Sequence, residues 1–120
     1  MAQPMTISYN DLEYLPEGIY LFQGKAFTGV AVDYDVCGVK NYELPFLDGH
    51  EHGLARGWHL NGQLGAETPY ANGVVHGTQR EWFEDGSLRS ETICEFGHIV
   101  RREVRNQRQE VVELYERPST

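Results

Sequence analysis

Glycine recurs at a fixed step of 24 residues along this 120-residue chain. The glycines form three columns: Gly29, Gly53 and Gly77; Gly38, Gly62 and Gly86; and Gly49, Gly73 and Gly97. Two other columns keep the same step: Tyr34, Trp58 and Trp82; and Glu43, Glu67 and Glu91. A fixed period of this length is typical of repeat proteins. The sequence therefore predicts one domain with three repeats (29–52, 53–76 and 77–100) between an N-terminal cap (1–28) and a C-terminal cap (101–120).

Each repeat contains two turn signals that separate short runs of β-forming residues. Four of these six signals are Asn-Gly or Asp-Gly dipeptides: Asp48-Gly49, Asn61-Gly62, Asn72-Gly73 and Asp85-Gly86. Asn-Gly and Asp-Gly supply the positive φ angles that a two-residue type I′ hairpin turn needs at both central positions. Because the connections are too short for crossovers, neighbouring strands must run antiparallel. We expect an all-β fold: an elongated antiparallel meander of consecutive hairpins, with degenerate units as caps.

A two-residue turn at Asn61-Gly62 sets the pairing of the flanking strands. It places Arg56 opposite Glu67 and Trp58 opposite Gly65, and the same count in the next repeat places Arg80 opposite Glu91. Opposite charges across a hairpin stabilise the register by a few tenths of a kcal/mol. We expect the aromatic column of Trp58 and Trp82 to stack along the array as its apolar spine. The alternative is that these side chains contact a ligand or partner.

The chain ends depart from the repeat pattern and predict caps. Residues 19–24 resemble the second strand of a leading unit, in which Gly24 lies one residue out of step. Residues 101–106 predict a last strand, and residues 107–115 either extend it or form a short helix. Terminal units of a stacked array face water on one side, so atypical sequences are expected there.

The charge distribution bears on possible partners. The formal net charge is −8, from 10 basic and 18 acidic residues. An acidic surface argues against binding to nucleic acid or anionic lipid and favours a basic partner. The alternative is that the charge only maintains solubility. Acidic side chains near the first turns, together with one phenylalanine, are the candidate partner-binding residues: Asp33, Asp35, Glu81, Phe83 and Glu84.

Catalytic, cofactor and metal sites are not predicted. The sequence contains no nucleophile elbow, phosphate loop, Cys-x-x-Cys pair or His-Glu-x-x-His motif. His52 and His76 occupy equivalent repeat positions, roughly 10 Å apart along a sheet, and cannot share one ion. His50 and His52 together offer only two ligands on a turn. Cys37 and Cys94 lie at different repeat positions, so reduced thiols are expected.

The N-terminus predicts neither a secretory signal nor a membrane span, since it has no basic start and no long apolar run. We therefore expect a cytoplasmic protein.

The spacing of glycine, tryptophan and glutamate resembles a known repeat family. Tyr70-x2-Gly73-x3-Gly77-x4-Trp82-x3-Gly86-x-Leu88-x2-Glu91 is similar to the variant MORN repeat of bacterial YwqK-type antitoxins. Phe46-x2-Gly49-x3-Gly53-x4-Trp58-x3-Gly62-x-Leu64-x2-Glu67 matches it again, and a weaker copy runs through Gly29, Tyr34, Gly38 and Glu43. Residues 22–100 carry the resemblance. It implies an elongated sheet of successive hairpins.

For function, the resemblance implies an antitoxin or immunity protein that neutralises a cognate bacterial toxin by stoichiometric binding. The partner expected is a protein toxin, for which the acidity of the chain favours a basic surface, and neither nucleic acid nor a membrane. The alternative is a scaffold of MORN type that docks another cellular protein or a membrane. A third possibility is an enzyme whose site lies in the N-terminal cap, near Tyr9, Asp11 and Tyr14. Exposed end strands leave both a monomer and an edge-to-edge homodimer open.

Overall fold

The protein is nearly all β in the computed structural model, which describes residues 5–118. Its strands are β1 (Thr6–Ser8), β2 (Glu13–Tyr14), β3 (Tyr20–Phe22), β4 (Lys25–Ala26), β5 (Gly29–Tyr34), β6 (Lys40–Leu47), β7 (His50–Glu51), β8 (Gly53–Trp58), β9 (Leu64–Ala71), β10 (Val74–Val75), β11 (Gly77–Trp82), β12 (Leu88–Glu95), β13 (His98–Arg105) and β14 (Val111–Glu116). One turn of 3₁₀ helix, Tyr9–Asp11, follows β1 and is capped by the Ser8 hydroxyl. The all-β prediction is confirmed.

One large sheet contains most of these strands, in the order β1-β5-β6-β8-β9-β11-β12-β13-β14. The short strands β7 and β10 extend it beside β6 and β9, while β2, β3 and β4 form a separate small sheet. From β5 onward every pairing is antiparallel, so the predicted meander of hairpins is confirmed. The exception is β1, which pairs in parallel with β5. A parallel pair needs a long connection, and the small sheet provides it.

The sheet is extended rather than compact. The radius of gyration is 16.2 Å, whereas a compact domain of this length has about 13.6 Å. The largest dimensions of the molecule are 47 and 42 Å. A meander leaves much of its two faces without a second layer, and this shape follows from that arrangement.

Two kinds of turn alternate along the meander, and only one kind was predicted correctly. Asn72 and Gly73 both have positive φ, 50° and 87°, as a type I′ turn requires. The equivalent turns are Gln23-Gly24, Asp48-Gly49 and Phe96-Gly97. At the other turns only the glycine has positive φ, so the prediction of a type I′ turn at Asn61-Gly62 and Asp85-Gly86 is wrong.

The turn at Asn61-Gly62 is instead a three-residue loop. The N–H of Gly62 donates to the carbonyl of His59, and the N–H of His59 donates to the carbonyl of Gln63, each at 2.9 Å. The Asn61 side chain accepts from the N–H of Gln63 at 3.0 Å. This side-chain contact favours a type I turn followed by a left-handed glycine, which is the standard three-residue hairpin loop. Asp85 makes the same contact to Ser87 at 2.8 Å.

A β-bulge compensates for the additional loop residue. Trp58 pairs with Leu64 and Gly57 pairs with Ala66, so Gly65 has no partner and the predicted pair of Trp58 with Gly65 is wrong. On the side of the bulge away from the loop, the two strands pair as they would across a two-residue turn. The predicted pairs of Arg56 with Glu67 and of Arg80 with Glu91 are therefore confirmed.

The hydrophobic core lies under the N-terminal half of the large sheet. Its buried residues are Phe27, Ala31, Leu44, Phe46 and Ala55. Side chains of the N-terminal cap, including Tyr9, Tyr20 and Phe22, pack against them. We call this side of the large sheet the capped face. The predicted tryptophan spine is wrong, because Trp58 and Trp82 lie outside this core and neither belongs to an aromatic ring pair within the described residues.

The C-terminal cap is a hairpin. β13 and β14 pair from Arg101 with Glu116 to Arg105 with Val111. The connecting loop uses Gln109, with φ of 64°, where the repeats use glycine. The prediction that residues 107–115 extend the preceding strand or form a helix is wrong. In the N-terminal cap the predicted strand is present as β3, and its turn lies at Gln23-Gly24.

Phe96 is a strained residue whose replacement should stabilise the fold. It has φ of 49° and is 74% exposed. A bulky side chain in the left-handed region costs roughly 1–2 kcal/mol, whereas asparagine tolerates it. We expect Phe96→Asn to raise the free energy of unfolding by about 1 kcal/mol, measured by urea denaturation. Phe83→Asn is the control, and it should lower the stability. An unchanged or lower stability of Phe96→Asn would contradict this interpretation.

Candidate interaction surface

The face of the large sheet opposite the core carries a row of charged side chains that crosses six strands. Successive cross-strand pairs join Glu43 to Arg56, Arg56 to Glu67, Glu67 to Arg80, Arg80 to Glu91 and Glu91 to Glu103. Between residues 5 and 118, no other secondary-structure element makes substantial contact with this side. We call it the open face.

Ion pairs connect most of the charged row. Arg56 lies 3.6 Å from Glu43 and 3.2 Å from Glu67, and Arg80 lies 2.9 Å from Glu91. Glu103 is flanked on its own strand by Arg101 and Arg105 at 3.7 and 3.1 Å. These side chains are partly exposed, and such pairs contribute on the order of 0.2–1 kcal/mol each. The row therefore orders charged groups at the surface and adds little stability.

The two tryptophans form a second row on the open face, beside the charged one. Trp58 pairs with Leu64, and Trp82 pairs with Leu88, so aromatic and aliphatic side chains alternate across the strands. All four side chains are half-buried. The Lys40 ammonium lies 5.4 Å from the centroid of the Trp58 ring. Flat aromatic side chains beside arginines are typical of protein interfaces.

The five residues predicted to bind a partner have different surroundings in the fold. Asp35 accepts hydrogen bonds from the N–H groups of Cys37 and Val39 and so shapes its own loop. Asp33 accepts from the Asn41 amide at 3.0 Å. Glu81 accepts from the Ser90 hydroxyl at 2.7 Å. These three carboxylates thus already have partners within the chain.

The remaining two predicted residues, Phe83 and Glu84, lie in the loop that connects β11 to β12. The Arg89 guanidinium lies 6.0 Å from the centroid of the Phe83 ring, and Glu84 is exposed at the loop tip. Glu81 and Arg89 line one shallow depression together with Trp58 and Trp82. Asp33 and Asp35 belong to the first repeat and do not line this depression, so the structure does not gather the five residues into one site. Glu81 pairs with Ala66 and alternates with Arg80 and Trp82 along β11, so its side chain lies on the opposite side of the sheet from theirs.

Two of the histidines considered as metal ligands bind the backbone instead. Nδ1 of His76 accepts from the N–H of Phe96 at 3.0 Å, and Nδ1 of His52 accepts from the N–H of Asn72 at 3.4 Å. Thr28 makes the equivalent contact to Asp48 at 2.9 Å. Each side chain therefore connects one repeat to the type I′ turn of the next. Residues 5–118 contain no group of three or more His, Cys, Asp or Glu side chains placed to hold a metal ion.

The region proposed for an enzyme site is filled by aromatic rings. Tyr9 packs against Tyr20 and Tyr42, at centroid distances of 6.3 and 5.9 Å, and Tyr14 packs against Tyr20 at 4.6 Å. Four depressions of the described surface are lined by residues other than Tyr9, Asp11 and Tyr14. Burial also raises the pKa of the Cys94 thiol, which keeps it protonated.

The tyrosine cluster should make stability fall at alkaline pH. Burial, followed by the neighbouring Tyr9, raises the pKa of Tyr42 from 10.0 to about 12, and burial also raises the pKa of Tyr20. The stability from these neutral phenols is complete below pH 10 and is lost as the pH rises toward 12. We expect the urea midpoint to decrease over this interval, and less steeply in Tyr42→Phe than in the wild type. Equal slopes would contradict the role of Tyr42.

No helix among the described residues has the length and apolar character to cross a bilayer. No protein-family model, curated protein or solved structure matches the chain.

Proposed function

We propose that this chain is a non-catalytic binding protein that neutralises a cognate protein toxin by forming a stoichiometric complex, as an antitoxin or immunity protein does. The observation that carries the proposal is the open face, with its charged row and its tryptophan row side by side. A broad sheet surface of this kind suits a protein partner better than a small molecule, which binds in a concave pocket. The resemblance of the repeats to those of YwqK-type antitoxins supports the same function.

The chemistry of the open face suggests where binding energy would come from. Tryptophan and arginine dominate the residues whose truncation costs most at protein interfaces. Trp58, Trp82, Arg56 and Arg80 supply these side chains on neighbouring strands. We therefore propose Trp82, with Phe83 and Glu84 of the loop that follows it, as the centre of the interface, and Asp35 as a peripheral contact.

The net charge of −8 favours a basic partner. Complementary charge speeds the association of two proteins and suppresses wrong partners. A toxin that acts on nucleic acid, and therefore carries a basic surface, would have this property. Complex formation in the cytoplasm would then protect the producing cell.

Co-expression with the protein encoded beside this chain tests the proposal. We expect the neighbouring protein to inhibit growth when expressed alone, and the chain to restore growth and to co-purify in a fixed ratio. Trp82→Ala should weaken the protection, whereas Leu60→Ala, at a loop tip that is 83% exposed, should not. A neighbour that is harmless alone and forms no complex would contradict the proposal. Flotation of the chain with anionic vesicles would instead support a membrane-docking scaffold.

A further inference from the structure

The two edges of the large sheet differ in length. β1, at one edge, has three residues, whereas β14, at the other, has six. Every residue of β14 is exposed, and its apolar side chains Val111, Val112, Leu114 and Tyr115 are 44–60% exposed. A long edge strand with apolar side chains is a template for pairing with another strand.

The free backbone groups of β14 can be identified from its pairing with β13. The N–H of Arg117 donates to the carbonyl of Val100 at 2.9 Å. Because successive residues of a strand direct their hydrogen-bonding groups to opposite sides, Leu114 and Glu116 direct theirs away from β13. Among residues 5–118 these backbone groups have no hydrogen-bond partner, and they are available to a second strand.

We propose that two copies of this chain form a dimer in which their β14 strands pair antiparallel about a two-fold axis. Such an axis places one residue opposite its own copy. The overlap of the six-residue strands is greatest when that residue is Glu113 or Leu114. A centre at Glu113 places two carboxylates opposite each other, which is unfavourable.

A centre at Leu114 avoids this repulsion. Leu114 then faces the Leu114 of the second copy, Glu113 faces Tyr115, and Val112 faces Glu116. No glutamate opposes another glutamate within the strand. Charge complementarity thus selects one register, in which apolar side chains cover one another at the centre.

The dimer would join two large sheets into one continuous sheet and place two open faces on it. This inference does not depend on the proposed function, since it rests only on β14. A complex with a partner protein would then contain two chains and two binding surfaces.

Light scattering during size-exclusion chromatography tests the proposal with paired charge variants. We expect the wild type to be a dimer, and Leu114→Lys and Leu114→Glu each to be monomeric, because like charges meet at the axis. An equimolar mixture of the two variants should restore the dimer. Leu60→Lys, at an exposed loop tip, should remain dimeric as the control. A monomeric wild type, or a mixture that stays monomeric, would overturn the proposal.

Cysteine cross-linking gives an independent readout that does not require Leu114→Lys to fold. In a Cys37→Ser background, which removes the exposed native thiol, Leu114→Cys should form a disulfide-linked dimer under mild oxidation. Opposed Cα atoms in a hydrogen-bonded pair are about 5.5 Å apart, within the range of a disulfide. Val111→Cys lies in the same strand, but two copies would be roughly 20 Å apart. Equal cross-linking of both variants would contradict the register.

Discussion

Gly49→Ala should lower the free energy of unfolding by about 2–4 kcal/mol, whereas Gly73→Ala should lower it by only about 1 kcal/mol. Both glycines have the same conformation, with φ of 85° and 87°. A Cβ atom at Gly49 would lie 2.5 Å from Cγ2 of Ile19 and 3.1 Å from the carbonyl oxygen of Tyr20. At Gly73 the nearest atom would be 3.7 Å away. Only Gly49 therefore packs against the N-terminal cap.

Urea denaturation of the two alanine variants separates the cost of the left-handed conformation from the cost of the contact. The conformational cost is common to both, so the difference between them measures the contact with the cap. Equal losses at Gly49 and Gly73 would show that the cap does not pack closely on this turn. Gly62→Ala is a further control, because nothing lies within 4 Å of a Cβ atom at that position.

Phe46→Ala should lower the free energy of unfolding by about 3–5 kcal/mol, which is typical of a buried phenylalanine. Phe46 is 4% exposed, and its ring lies 4.9 Å from that of Tyr20 and 5.6 Å from that of Phe27. It thus connects the large sheet to the N-terminal cap.

The matched control is Phe96→Ala, since Phe96 is 74% exposed at a turn. We expect this variant to change the free energy of unfolding by no more than about 1 kcal/mol in the same urea titration, because alanine keeps the left-handed conformation and only an exposed ring is lost. A loss at Phe46 no larger than that at Phe96 would indicate that the core does not lie under the N-terminal half of the sheet.

The sequence contains enough information to predict the hairpins but not both types of turn. Glycine is needed at Gly62 and at Gly73, so the glycine columns mark the turns correctly. They do not show that the Asn61 side chain accepts a hydrogen bond from Gln63 and favours a three-residue loop, whereas Asn72 takes a left-handed conformation itself. The β-bulge then restores the register, which is why the arginine and glutamate pairs could still be predicted.

The location of the core could not be predicted from the repeats. The repeats are alike in sequence, so nothing in them favours one end of the sheet. The N-terminal cap determines where the core lies, because its residues Tyr20, Phe22 and Phe27 lie outside the 24-residue pattern and cover only the nearest strands. Trp58 and Trp82 are therefore left on the open face rather than in a core. The candidate interface is therefore the tryptophan row on the open face rather than the acidic loops.

Fluorine NMR on the chain labelled with 5-fluorotryptophan tests the proposed interface most directly. The chain contains two tryptophans, and both lie on the open face. Two resonances are therefore expected, and an unlabelled partner contributes none. On titration with the protein encoded beside this chain, we expect both resonances to shift and to saturate at a fixed ratio. A saturable complex that leaves both resonances unchanged would contradict binding through the open face.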